Sequence, residues 1–291
     1  MTKPQTILYS NGGGKLTFDG TNGIVVTAIQ CQIKNLVIEN VGSGYVHGNV
    51  GITFNSGLAL YWERLDTVDL NGWATALYLN QAWESHFTTV TTEYSYNGLL
   101  IVGQTVNNFF DGCHFNSPAN NQPNVILSKD NSTGDQPESN NFVNCLFYGG
   151  NVGIQNYFAD YTQISGGCVI DGFTNYGVYA TTSTEICISG AYIAHPINSI
   201  VGIRFDSVTY SRIVQDDLAE GTSGSTYGVY LTGTSAYNVI NNNDVNANYG
   251  LIESGSSNYN IFDGNNISGA TTAIQVVGAN SVRGTNIPAS G

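Results

Sequence analysis

Hydrophobic and polar positions alternate along this chain in a pattern that keeps returning. A small residue followed by an apolar-x-apolar triplet recurs eleven times, as Gly23-IVV, Gly51-ITF, Ala76-LYL, Gly98-LLI, Asn124-VIL, Gly153-IQN, Gly177-VYA, Gly202-IRF, Gly228-VYL, Gly250-LIE and Ala273-IQV. The intervals run from 22 to 29 residues, the mark of a stacked repeat. A second strand follows each triplet, and its first inward position reads Ile33, Leu65, Phe87, Phe110, Phe142, Ile164, Ile188, Val214, Ile240, Phe262 and Val282. Two residues on, the column reads Asn35, Thr67, Thr89, Gly112, Asn144, Gly166, Gly190, Asp216, Asn242, Gly264 and Gly284, rich in the types that tolerate a left-handed backbone. The chain then turns apolar again at Ile38, Leu70, Phe115, Phe147, Val169, Ile193, Val245, Ile267 and Ile287. The repeat is plainest where YNVINNNDV, from Tyr237, returns as YNIFDGNNI, from Tyr259.

Strand, bend and strand, repeated in phase, predict a coil with like residues stacked on like. At the strand spacing, eleven coils make a rod roughly 50 Å long. No 3.6-residue periodicity is sustained, so helix is expected to be almost absent. The matched columns resemble the right-handed parallel β-helix of pectate-lyase-like proteins, from about Gly23 to Ile287. The expected fold is therefore all-β, a single-stranded right-handed parallel β-helix. Residues 1–22 form a lead-in segment and residues 23–291 one β-helix domain, with loop insertions around 116–141. Neither end reads as a cap, so the chain is expected to be the central part of a longer polypeptide or to have its ends covered by partner subunits.

Charge narrows the partners. The net charge is −13 with only eight Lys plus Arg, which argues against nucleic acid. No apolar run is long enough to insert in a membrane, and no signal peptide is evident. Cys113 and Cys145 fall in one column and are expected as buried thiols. No metal-ligand spacing appears, and no cofactor is expected.

Candidate chemistry concentrates in coils two to four. All three tryptophans, Trp62, Trp73 and Trp83, lie there with Glu63, Arg64, Asp66, Asp69, Glu84, His86, Asp111 and His114. The columns place Asp66 and Asp111 on one outward line with Thr88 between, Asp69 and His114 on another with Thr91 between, and Arg64 beside His86. Two coil steps separate the paired carboxylates by roughly 9–10 Å, which suits inverting glycoside hydrolysis. Asp66, Asp111, Glu63 and Glu84 are the catalytic candidates. Trp62, Trp73 and Trp83 supply flat faces for sugar rings, and Asp69, His86, His114 and Arg64 supply polar contacts. A second charged group comprises Arg204, Asp206, Arg212, Asp216, Asp217 and Glu220, with His195 one coil away. Outward acidic residues of a solenoid are also ordinarily just solvated.

The lean Asn- and Gly-rich coils look like the central helix of a bacteriophage tailspike. That resemblance implies a homotrimer at the phage virion tail, outside the host cell, that binds and usually hydrolyses a bacterial surface polysaccharide. Leu100 and Ile126, apolar and outward in successive coils, fit a face buried in a partner subunit. The alternatives are a non-catalytic adhesive β-helix and a polysaccharide lyase, for which Ca²⁺ would be implied. The calcium-and-arginine motif of pectate lyases and the NTD, DD, GHG and RIK segments of polygalacturonases are absent from the sequence.

Overall fold

The computed structural model describes residues 1–42, 49–117, 121–194, 201–221 and 226–288. Among them there is no helix, and every ladder between strands is parallel. Each coil opens with one strand of an eleven-stranded sheet, running from Ile24–Val26 to Thr272–Gln275. Most of the rest of the coil lies in a second, bent sheet of twenty strands, and Leu60–Tyr61 pairs with Ala82–Trp83 in a small third sheet between the two. In the bent sheet the coil is one strand in the early turns, such as Arg64–Asn71, and two short strands later, such as Gln163–Ser165 and Val169–Asp171. The result is a right-handed parallel β-helix.

Close approach between coils explains the small residue before each triplet. A Cβ added at Gly250 would lie 2.4 Å from the Ala273 carbonyl oxygen, and one at Gly153 would lie 2.7 Å from that of Gly177. The triplets then stack their apolar side chains inward, as in Leu77, Leu99, Val125 and Ile154. Across the core, Phe87, Phe110 and Phe142 form a ring stack with centroids 4.7 and 4.8 Å apart. The bend residues Asn35, Thr67, Thr89 and Asn144 all have φ between 51° and 56°.

The structure corrects the expected phase at three points. Ile213, not Val214, stacks between Ile188 and Ile240, so the left-handed bend falls on Gln215 and not on Asp216. Gly167 lengthens its bend by one residue, and Ile170 rather than Val169 follows Phe147 inward. In the last coil Arg283, not Val282, stands opposite Phe262, and Pro288, not Ile287, opposite Ile267. The lead-in segment contributes the strand Ile7–Phe18, hydrogen-bonded to Gln32–Asn40.

Two inner corners carry polar ladders. In one, the amides of Asn243, Asn265 and Asn286 each donate to the carbonyl of the stacked apolar residue one coil earlier, at 2.9–3.0 Å. The thiols of Cys113, Cys145 and Cys168 occupy the same place and reach the carbonyls of Phe87, Phe110 and Phe142. The other corner is a ladder of Ser85, Asn108, Asn140, Ser211, Asn238 and Asn260. Backbone groups buried beside these rungs are thereby paired.

Candidate functional site

Outward positions of the bent sheet form columns because successive coils are in register. At the left-handed corner stand Trp62, Glu84 and Asn107. Two residues further on, Arg64, His86 and Phe109 are aligned, and beyond them Asp66, Thr88 and Asp111. Past the bend, Asp69, Thr91 and His114 complete the grid. Three coils thus bring Arg64, Asp66, His86 and Asp111 onto one face, with Trp62 and Glu84 at its left-handed edge, while Asp69 and His114 lie round the bend, Asp69 beside Ser10 and Val37.

The groups are held in place locally. Thr67 Oγ1 donates to Asp66 Oδ1 at 3.1 Å, and Asn144 Nδ2 donates to Asp111 Oδ1 at 3.4 Å. The Trp62 indole N–H donates to Glu84 Oε2 at 3.0 Å, and the residue stays 49% exposed. Glu84 therefore orients Trp62. Trp83 is half-buried beside the face. Its indole N–H donates to the Gln104 carbonyl, and its ring packs 5.4 Å from Tyr61, which in turn meets Trp62. Lys34 and Arg64 form no ion pair among the described residues. Both line a cleft of about 270 Å³ with Asp66, His86 and Thr88, and a neighbouring cleft of about 420 Å³ continues past Trp62 and Gln32.

Lys34 and Phe109 were not singled out from the sequence. Lys34 pairs in register with Asp66, and Phe109 stacks on His86 with centroids 6.0 Å apart. The same column arithmetic that placed Asp111 would have found both.

Several candidates lie elsewhere. Trp73 is wholly buried, donates its indole N–H to the Ile38 carbonyl at 3.1 Å, and fills the space beside Gly23 and Gly51, so it cannot reach a ligand on this face. Glu63 points inward into the Ser/Asn corner ladder. Its Oε2 accepts the Cys31 N–H at 2.8 Å, and its Oε1 has no partner. Burial pushes this carboxyl up to about 7.

The second charged group is not one cluster. Arg204 and Asp206 lie on the eleven-stranded sheet as an ion pair at 3.6 Å, with Arg204 among the rings of Tyr176, Tyr179 and Tyr230. Asp216 and Asp217 belong to the other sheet. Asp216 is 2% exposed inside the asparagine ladder, and burial raises its carboxyl to about 7. Asp217 is exposed, opposite Asp244. Its carboxyl is raised by partial burial and then by the Asp244 charge. His195 and the Glu220 side chain lie outside the described residues. Among those residues no group of three His, Cys, Asp or Glu side chains is arranged to hold a metal ion.

No protein-family model matches the chain, and no curated protein sequence matches it. Solved structures do. The periplasmic alginate epimerase AlgG superposes with a TM-score of 0.68 at 10% identity, over 99% of this chain and 77% of that one. The polysaccharide lyase Pedsa3628 of family PL6 from Pseudopedobacter saltans gives 0.62 at 13%, over 98% and 82%. The enzymatically active domain of bacteriophage CBA120 tailspike protein 2 gives 0.59 at 13%, over 80% and 43%. At these identities the likeness is one of fold: the chain is a right-handed parallel β-helix of the pectate-lyase-like architecture.

Proposed function

We propose that the chain binds a bacterial surface polysaccharide across the three-coil face and hydrolyses it, with Asp66 and Asp111 as the acid–base pair. The observation that carries this reading is their shared column, two coil steps apart, with only the short side chain of Thr88 between them. That step count gives a Cα separation of roughly 10 Å, which leaves room for a sugar ring and a water between carboxyl groups about 6.5–9.5 Å apart. Trp62 offers an exposed face to a sugar ring, while Arg64, Lys34 and His86 supply donors at the cleft. The similarity to a phage tailspike supports a tailspike-like receptor-binding protein working outside the host cell. Leu100 and Ile126, half-buried neighbours on the eleven-stranded sheet, supply a face for trimer packing.

A second reading, β-elimination, is favoured by one observation. Lys34 and Arg64, without an ion pair among the described residues, share the cleft with His86 and Asp66, which brings a substrate carboxylate and a base together there. In that case a Ca²⁺ ion is a further candidate for neutralising the substrate carboxylate.

Release of reducing ends from a panel of bacterial surface polysaccharides tests both readings. Asp66→Asn and Asp111→Asn should each lower cleavage about 10²–10⁴-fold and leave binding intact. Unsaturated, ultraviolet-absorbing products would establish elimination instead. Binding without cleavage by the unaltered chain would make it an adhesive module, and cleavage unchanged in both variants would overturn the assignment.

A further inference from the structure

Six coils along the rod from Trp62, the corner column and the column beside it meet around a second cleft, of about 590 Å³. Its walls repeat the combination of groups seen at Trp62. Tyr210 stands at the left-handed corner, Arg212 lies two residues on in the column of Arg64, and Glu185 is the corner residue one coil before. Tyr161 closes the far side of the Glu185 coil, with Gln163 in the Arg212 column.

The rings sit where rings are costly. Tyr161 and Tyr210 both have φ of 55°, a conformation that disfavours bulky side chains, and their corner column also carries Trp62, Tyr237 and Tyr259. Contact between coils accounts for part of this, since Tyr210 stacks on Tyr237 and Tyr237 on Tyr259, each at 5.0 Å. It does not account for Tyr161, which has no ring partner among the described residues and is 43% exposed. Tyr237 covers one face of Tyr210 and leaves the other toward the Glu185 coil. Arg212 is exposed and, like Glu185, forms no ion pair among the described residues. In a chain of net charge −13 with eight Lys plus Arg, an arginine in the Tyr210 coil, two coils from Tyr161 and without an ion pair among the described residues, is placed to meet an anion.

We infer that this cleft is a second glycan-binding site, which grips a sugar residue bearing an acidic group. Arg212 takes the acid, the facing rings of Tyr161 and Tyr210 flank the sugar ring, and Glu185 and Gln163 bond its hydroxyls. The cleft holds without cleaving. The column that carries Asp66 and Asp111 reads Ser165, Ser189 and Val214 here, with no carboxylate pair. Six coil steps separate Arg212 from Arg64, roughly 30 Å, and in the two coils between the clefts the columns read Asn107, Phe109, Ser139 and Asn141. One polymer laid along the rod would occupy both places. This assignment rests on the reading that the chain acts on a polysaccharide.

The 291-residue chain is titrated with acidic and neutral bacterial surface polysaccharides, and with oligosaccharides of the bound polymer too short to span both clefts. Arg212→Gln should weaken binding of acidic polymers about 10–100-fold, Arg212→Lys less, and Tyr210→Ala comparably to Arg212→Gln. Because Arg212 is exposed, its variants should unfold at the same denaturant concentration as the unaltered chain. If the polymer is cleaved, Arg212→Gln should raise KM for the polymer and leave kcat on short oligosaccharides unchanged. Equal binding of neutral polymers, no binding of any acidic polymer, or an unaffected Arg212→Gln variant would overturn the site. Asp66→Asn separates the two readings, because lost cleavage with retained polymer binding bears only on the first face. Binding that depends on Arg212 in a chain that cleaves nothing would sustain the second site while the cleavage reading fell.

Discussion

Replacing Asp216 by Asn should stabilise the protein, and only above acidic pH. Asp216 occupies one rung of a ladder whose next three rungs are Asn243, Asn265 and Asn286. Its Oδ1 accepts the Ala191 N–H at 2.7 Å, but its Oδ2 is buried without a partner. An amide in that place would donate to the carbonyl one coil earlier, as the other rungs do. Desolvation raises the folded carboxyl to about 7, against about 3.9 in an unfolded chain. Below about pH 4 both states are protonated and the group's contribution is fully present. As pH rises from about 4 to 7 the unfolded state ionises first, so stability falls by about 1.4 kcal/mol per unit. The loss totals on the order of 4 kcal/mol and levels off above the folded value. Because Asp216 is 2% exposed, solvent screening takes little from that figure. Urea unfolding of the unaltered chain and Asp216→Asn at several pH values between 4 and 8 measures the difference directly. The two should be close at pH 4 and diverge to roughly 3–4 kcal/mol in favour of Asn by pH 8. Parallel curves, or a variant less stable at pH 8, would refute the reasoning.

Other substitutions probe the same physics elsewhere. Glu63→Gln should also gain stability as pH rises from about 4 to 7, since burial raises this carboxyl to about 7 and leaves Oε1 unpaired; the same urea series reads it out. Phe110→Ala, in the centre of the ring stack, should cost about 3–5 kcal/mol in unfolding free energy. Gly250→Ala should lower the melting temperature although the new group is one methyl, because its Cβ would lie 2.4 Å from a backbone oxygen that cannot move without shifting the next coil. Trp62→Ala should weaken glycan binding by about 1–3 kcal/mol, and Glu84→Gln by less, since a glutamine oxygen can still accept the indole N–H.

Much of the candidate face was legible because a solenoid turns sequence interval into position. Once Leu65, Phe87 and Phe110 are recognised as stacked, Asp66, Thr88 and Asp111 must share a line one residue away. Errors arose where one residue decides between inside and outside. Val214 and Ile213 are both apolar, so the sequence alone allowed either phase, and the wrong one set Asp216 in a bend rather than in the core. Trp73 and Glu63 look like surface chemistry by residue type, yet each turns inward at a corner, where space left by Gly23 and Gly51 and the Ser/Asn ladder receives them.

By itself the sequence determined the repeat, the eleven coils, the parallel solenoid and the columns, because these follow from periodic side-chain burial along one chain. Tertiary structure decided which polar groups are solvated and which are sealed in the ladders. It also decided that Arg204 and Arg212 face different ways, and that Tyr161, Glu185, Tyr210 and Arg212 surround one cleft. Those outcomes depend on which side of a left-handed corner a residue falls, and that is fixed only when each coil packs against its neighbours.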